Sequence, residues 1–261
     1  MTLQKKLSIH YELSGPDEAP VLVLSHALGT NLTLWDQQVE ALRGAFRVLR
    51  YDTRGHGRSP ASQGPYTISL LALDVLSLLD ELGVGKAHFC GISMGGLVGQ
   101  YLAVHHPDRV ASLILSNTAS TIGTHEKWER RIREVTKAGM AAVLDEVVEG
   151  WFSARFRSMR PPIIASLANA LKATSPEGYI GCCQALRDAD LSDLIEQVNA
   201  PALIIAGTED QATPVAGSRF LHQKIRNSQL VTLECAHLAC AEAPAEFTNQ
   251  LNKFLTTKAN L

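Results

Sequence analysis

Residues 87–95 read Ala87-His88-Phe89-Cys90-Gly91-Ile92-Ser93-Met94-Gly95. An apolar β-type run enters a turn where a serine stands between two glycines, and a helical pattern, Met94–His105, leaves it and stops before Pro107. A turn this tight between a strand and a helix crowds its neighbours, so small residues are required on both sides of Ser93. The serine hydroxyl is then held at the top of a sheet, beside the N-terminal N–H groups of the following helix. The pentapeptide alone is a moderate signal. Its value is that it demands a carboxylate, an imidazole and a second oxyanion donor elsewhere in the chain.

Outward from this turn, short apolar or β-branched runs alternate with helical ones. Strands are expected at 7–13, 21–25, 47–52, 87–92, 110–117, 201–207 and 229–235, and helices at 67–82, 94–105, 214–226 and 244–256. Thr213-Pro214 reads as an N-cap followed by proline at the first helical position. Such alternation predicts an α/β fold, a mostly parallel sheet with helices on both faces. Between Asn117 and Asn199 it breaks: this stretch holds helical periods only (128–138, 141–152, 162–172 and 178–189) and carries Trp128 and Trp151. The organisation expected is a core of residues 1–119 and 198–261 with a helical cap, 120–197, inserted over the site.

Bulk properties narrow the function. A chain of 261 residues can bury one large core, and its hydrophobic content of 46% and charged content of 19% are those of an ordinary globular protein. A formal net charge of −2 supplies neither a broad basic field for nucleic acid nor a polybasic membrane patch. No run approaches the ~20 apolar residues that span a bilayer, and no signal-peptide pattern precedes Pro20. The five cysteines lack framework or C-x-x-C spacing and read as buried free thiols, so a cytoplasmic protein without a metal site is expected. The composition carries no signature of oligomeric state.

A serine hydroxyl becomes nucleophilic only when a base takes its proton, and the base needs an orienting acceptor. Two loops supply candidates, each just past a strand. Gly207-Thr208-Glu209-Asp210 follows Pro201-Ala-Leu-Ile-Ile-Ala206, and Ala236-His237 follows Gln229–Cys235. Alone, Asp210 reads as a turn or cap residue and His237 as a surface histidine. Together with Ser93, in the order Ser–Asp–His and on one edge of a parallel sheet, they read as a catalytic triad. Glu209 is the rival carboxylate, and Asp210 is chosen. The loop Ser25-His26-Ala27-Leu28-Gly29, after strand 21–25, is placed to supply one oxyanion N–H from Leu28, with Met94 supplying the other. His26 and Trp35 are expected to brace and pack that loop. In Tyr51-Asp-Thr-Arg-Gly-His-Gly-Arg-Ser59, the residues Asp52, Arg54 and Ser59 are read as structural, since a Walker ending is missing. Gly83-Val-Gly85 precedes a strand and is no dinucleotide fingerprint.

The elbow, the Asp-x-Arg-Gly-x-Gly-x-Ser stretch at 52–59, and the Gly-Thr-x-Asp and Ala-His loops together resemble the α/β-hydrolase superfamily. More narrowly, Leu24-Ser-His-Ala-Leu-Gly-Thr-Asn-Leu-Thr-Leu-Trp35, Gly64-Pro-Tyr-Thr67, Phe89-Cys-Gly-Ile-Ser-Met-Gly-Gly96, Trp128, Trp151-Phe152 and Gly178-Tyr179 resemble the 3-oxoadipate enol-lactonases. The chain departs from that pattern at His26 and at Ala239-Cys240. The resemblance implies an α/β-hydrolase fold with an inserted helical cap. It also implies cofactor-free opening of 3-oxoadipate enol-lactone to 3-oxoadipate, a small anionic lactone being the partner. A carboxylate on the substrate calls for a cation, and Trp128-Glu-Arg-Arg-Ile-Arg133 is where to seek it. Trp128 and Arg131 lie three apart on one helix face, so Arg131 is expected on the carboxylate and Trp128 against the ring. A general carboxylesterase, a perhydrolase or a carbon–carbon bond hydrolase would use the same triad, and a non-catalytic receptor would use the fold alone.

Overall fold

The computed structural model describes residues 8–159 and 161–258. Its sheet strands are β1 (Tyr11–Ser14), β2 (Val21–Ser25), β3 (Arg47–Tyr51), β4 (Ala87–Ile92), β5 (Val110–Ser116), β6 (Ala202–Gly207) and β7 (Ser228–Leu233). The helices are α1 (Asp36–Leu42), α2 (Ile68–Glu81), α3 (Met94–His105), α4 (His125–Ala138), α5 (Leu144–Trp151), α6 (Ala154–Ser158), α7 (Pro162–Ala173), α8 (Pro176–Asp188), α9 (Val215–Lys224), α10 (Ala239–Glu242) and α11 (Pro244–Lys258). All seven expected strands form, although β1 begins four residues later than its pattern suggested, and Leu7 falls outside the described residues.

The strands lie in the order β1-β3-β2-β4-β5-β6-β7. Only the β1–β3 pair is antiparallel. Helices cover both faces: α1 packs with α11, and α2 with α3. With neither face wet, β4 and β6 are buried at every position, which explains apolar runs without alternation. From β2 the chain passes to β3 on one side and then returns to β4 on the other. The order therefore reverses at the β2/β4 junction, where loops from the carboxyl ends diverge and leave a crevice. Ser25 and Gly91, the register partners at that junction, lead directly into the loops carrying Leu28 and Ser93.

Helices α4 through α8 all fall between β5 and β6 in the chain. Four short elements depart from the sequence pattern. Helices α1, α6 and α10 are too brief to show a helical period, and a 3-10 turn at Met140–Val143 separates α5 from the run that had suggested one helix. Helix α9 starts at Val215 with Pro214 in the capping position, so Thr213 is not its cap. Among the described residues, no helix is long and apolar enough to cross a membrane. All five cysteines are buried and unpaired.

The elbow is held by close approach. A Cβ on Gly91 would lie 2.1 Å from the carbonyl oxygen of Gly95, and one on Gly95 would lie 2.3 Å from that of Ser25. Replacing Gly95 by alanine must therefore push α3 away from β2. Gly95→Ala is expected to lose about 1–3 kcal/mol in urea melts, the usual cost of overpacking. An unchanged unfolding midpoint would show that this contact is not what fixes the elbow.

Candidate active site

Ser93 has φ 56 and ψ −118, a left-handed backbone that costs a non-glycine residue about 1–3 kcal/mol. Its main chain is clamped to keep it there. The N–H donates to Ser116 O at 3.0 Å. Its carbonyl accepts from the Gly96 N–H at 2.9 Å and the Thr118 hydroxyl at 2.8 Å. The side chain makes no capping bond to α3 and instead lines a cavity of about 240 Å³. Leu28, Trp128, Arg131 and His237 line the same cavity.

Asp210 lies behind His237. His237 Nδ1 and Asp210 Oδ2 are 2.9 Å apart, and both residues are buried. The same Oδ2 accepts from Thr213 Oγ1 at 2.6 Å and Asn117 Nδ2 at 3.0 Å. Its other oxygen accepts from the Ala212 and Thr213 N–H groups at 2.8 and 2.9 Å. Asp210 is thus both an Asx-type turn residue and the partner of the imidazole. Burial pushes its carboxyl up, but His237 and the Thr213 donors outweigh that and hold it well below the carboxylate range. With Nδ1 bound to a fixed anion, Nε2 is the imidazole nitrogen free to exchange a proton with a group in the cavity. Among the described residues, neither the Leu28 nor the Met94 N–H is spent on an acceptor. Both sit beside Ser93 in sequence or in the cavity wall, as an oxyanion pair requires.

Helix α4 delivers the cationic side of the cavity. It starts at the Thr124 cap, and its buried face is Trp128, Arg131 and Val135. The Trp128 indole donates to Ile122 O at 2.5 Å. Arg131 donates through Nη1 to the Tyr179 hydroxyl at 3.3 Å and through Nη2 to Glu146 at 2.6 Å, while its buried Nε has no acceptor. Glu146 also accepts from Arg130 at 2.8 Å, and Arg130 and Arg131 together draw its carboxyl down to about 2. Arg130 itself faces outward, and Arg133 is exposed opposite Glu129. Lys127 also lines the cavity, with Nζ 5.6 Å from the centre of the Trp128 ring; burial and Arg131 lower its pKa.

Four contributors were not legible as such. Asn117, at φ 45, bridges Asp210 and the Ala236 carbonyl. Thr213 spends its hydroxyl on Asp210 and lies 3.4 Å from His237 Nδ1. Lys127 reads as one more charge on a helix that is basic all along. Glu242 accepts from the Ala236 N–H at 3.1 Å and the Ser153 N–H at 3.1 Å, tying the base's loop to the α5–α6 junction. A polar Ser116-Asn117-Thr118 run closing the apolar β5 was the one available signal among these.

The loops read as bracing elements do brace. Asp52 accepts from the Leu32 and Arg58 N–H groups, both at 2.8 Å, and Arg54 forms a fork with Asp74. His26 Nε2 accepts from the Thr53 N–H at 2.9 Å while Nδ1 faces Ala27 O at 2.8 Å. His56 Nε2 accepts from the Gly29 N–H at 3.0 Å while Nδ1 faces Arg54 O at 3.2 Å. These pairings assign both rings the neutral Nδ1–H tautomer.

Comparison with known proteins follows the same lines. Residues 20–244 match the family model described as the alpha/beta hydrolase fold. The chain is 40% identical to 3-oxoadipate enol-lactonase 2 of Acinetobacter baylyi, over 93% of this chain and 91% of that protein. RutD of Stutzerimonas stutzeri, named for carbamate hydrolysis, is 32% identical over 93% of this chain and 94% of its own. The crystal structure of the enol-lactonase from Burkholderia xenovorans superposes with a TM-score of 0.94 at 43% identity, covering 95% of this chain and 96% of that one.

The histidine pair gives the site an acid limit. Burial lowers the pKa of both, that of His56 from 6.5 to about 3. Unfolding releases rings that bind protons below pH 6.5, so their contribution is complete above that pH and is lost as the pH falls below it, for His56 down to about 3. Stability is expected to fall with the pH over that range, at most by the linkage of about one proton per ring. Urea midpoints measured between pH 7 and about 5, above the range where Asp210 takes part, should fall steeply for the wild type. They should fall less for His56→Gln, which keeps an acceptor for Gly29. Equal slopes would remove His56 as the cause.

Proposed function

This chain belongs to the α/β-hydrolase family, and from that membership we propose that it opens 3-oxoadipate enol-lactone with water through a Ser93–His237–Asp210 acyl-enzyme. The observation that carries the reading is the shared cavity. Ser93 on its left-handed turn and His237 on its Asp210 anchor line one cavity of about 240 Å³ that Lys127, Trp128 and Arg131 also line. A neutral-ester pocket has no use for two cations there. An anionic lactone does.

In the proposed sequence, Ser93 Oγ bonds to the lactone carbonyl carbon while its proton passes to His237 Nε2. Asp210 stabilises the imidazolium without itself taking the proton. Negative charge on the former carbonyl oxygen is met by the N–H groups of Leu28 and Met94. The ring C–O bond then breaks, and its oxygen receives the proton from His237 and leaves as an enol. An enol is a better leaving group than an alkoxide, and its tautomerisation to a ketone removes the internal nucleophile that would close the ring again. Water, deprotonated by His237, next attacks the acyl carbon; collapse returns the proton to Ser93 and releases the diacid. None of these steps calls for a cofactor. Residues 120–197 act as the cap, and Arg131 and Trp128 seat the carboxylate and the ring.

Carbamate hydrolysis would need the same triad, and the similarity to RutD makes it the second reading. An ultraviolet assay following loss of the enol-lactone chromophore tests the first. Wild-type protein should turn the lactone over rapidly, and Ser93→Ala should lose at least about a thousandfold, as removal of a triad nucleophile does. Arg131→Ala should raise KM more than it lowers kcat. A wild type that hydrolyses 4-nitrophenyl acetate but leaves the lactone intact would overturn the substrate.

A further inference from the structure

The cavity charges do not balance. Its one carboxylate, Glu146, is already shared between Arg131 at 2.6 Å and Arg130 at 2.8 Å. Arg131 is partly committed: each terminal nitrogen gives one N–H to a partner, and its buried Nε has none. Lys127 is different. Among the described residues no carboxylate lies within ion-pair distance of its ammonium, which sits over the Trp128 ring in the cavity wall. Lys127 and Arg131 are four apart on α4, so their side chains rise from neighbouring turns of one helix face.

We propose that Lys127 is the residue that selects for anionic substrates, receiving the free carboxylate between its ammonium and the unpartnered Nε of Arg131. This deepens the reading of the site as one for a lactone bearing a carboxylate and rests on it. The geometry divides the labour between the two cations. Arg131, held by Tyr179 and Glu146, is a fixed wall whose Nε–H is unpartnered. The lysine is a mobile point charge with three donors, and the indole beneath it holds it near the cavity by cation–π attraction. A ligand carboxylate placed there gains charge-assisted bonds from both, and it supplies the counter-charge that Glu146 cannot. A neutral ester gains nothing from Lys127, and must leave the ammonium desolvated without compensation.

The test uses Lys127→Met, which keeps the apolar stem, with Lys127→Arg as the charge-conserving control. Adipate, a dicarboxylate, serves as the anionic probe, with its inhibition read on hydrolysis of neutral 4-nitrophenyl acetate. For Lys127→Met the adipate inhibition constant should rise about tenfold to a hundredfold, the range for losing a charged hydrogen-bond partner. The preference for the enol-lactone over the neutral ester, as a ratio of kcat/KM values, should fall by a similar factor. Lys127→Arg should recover most of both. Inhibition and preference within twofold of wild type in Lys127→Met would overturn the assignment, as would a wild type that adipate does not inhibit. Because the inhibition arm uses a neutral ester, it decides the role of Lys127 even if the natural lactone is a different one. Failure of the wild type to open the enol-lactone overturns the substrate and not this residue.

Discussion

The carboxylate of Asp210 is the point on which the site turns. It accepts from the main chain of its own loop through Ala212 and Thr213, from the Thr213 hydroxyl, from Asn117 beyond β5, and from His237 beyond β7. Three strands that are neighbours in the sheet thus send their carboxyl-terminal loops to one anion. A buried charge is tolerated only when its lone pairs are filled, and here donors from separate loops fill them. The arrangement fixes the imidazole, but it works in reverse as well. The carboxylate is one of the acceptors that hold the Asn117 side chain, and it closes the turn after β6 through Ala212 and Thr213. Electrostatics and loop geometry are a single interaction.

Ser93 depends on a second constraint of the same kind. Its strained backbone is not stabilised by its own side chain, which makes no capping bond. The clamp comes from the Ser116 carbonyl, the α3 N–H groups and Thr118, all of which require α3 to lie close against β2 and β5. That closeness is possible because Gly91 and Gly95 carry no side chains. Leaving the hydroxyl out of capping leaves it available to the cavity. The His26 and His56 rings perform the matching task for the loop that carries Leu28: as neutral rings they accept N–H groups from Thr53 and Gly29, knitting 26–29 to 53–56.

The centre of the sheet was legible because a parallel strand covered on both faces, as β4 and β6 are, is apolar nearly throughout. Ser93, Asp210 and His237 stood out as candidates because in this fold the serine, carboxylate and imidazole follow strands in that order, and the structure pairs the last two at 2.9 Å. Asn117 was hidden by looking like the last residue of β5, and Thr213 by looking like a helix cap. In both, the side chain answers to a loop roughly a hundred or twenty-odd residues away in sequence, which no local pattern encodes. Lys127 was hidden for a different reason. It stands out because, among the described residues, no carboxylate lies within ion-pair distance of it while Arg130, Arg131 and Arg133 have theirs, and pairing is a property of the packed helices.

The α5–α6 segment and the loop that carries His237 are also joined by hydrogen bonds. Glu242, at the end of α10, accepts from Ala236 on one side and from Ser153 on the other. The Leu238 N–H donates to the Trp151 carbonyl at 3.0 Å. Trp151 lines the cavity, and His237 lies between the two residues so tied. A ligand that moves the α5–α6 junction must therefore move the loop that carries the imidazole, or break bonds to leave it behind. Both ends of this link are hydrogen-bonded main chain, which is stiff, and Glu242 adds a carboxylate filled from both sides. Trp151 in the cavity wall and the loop that carries His237 are thus hydrogen-bonded parts of one body.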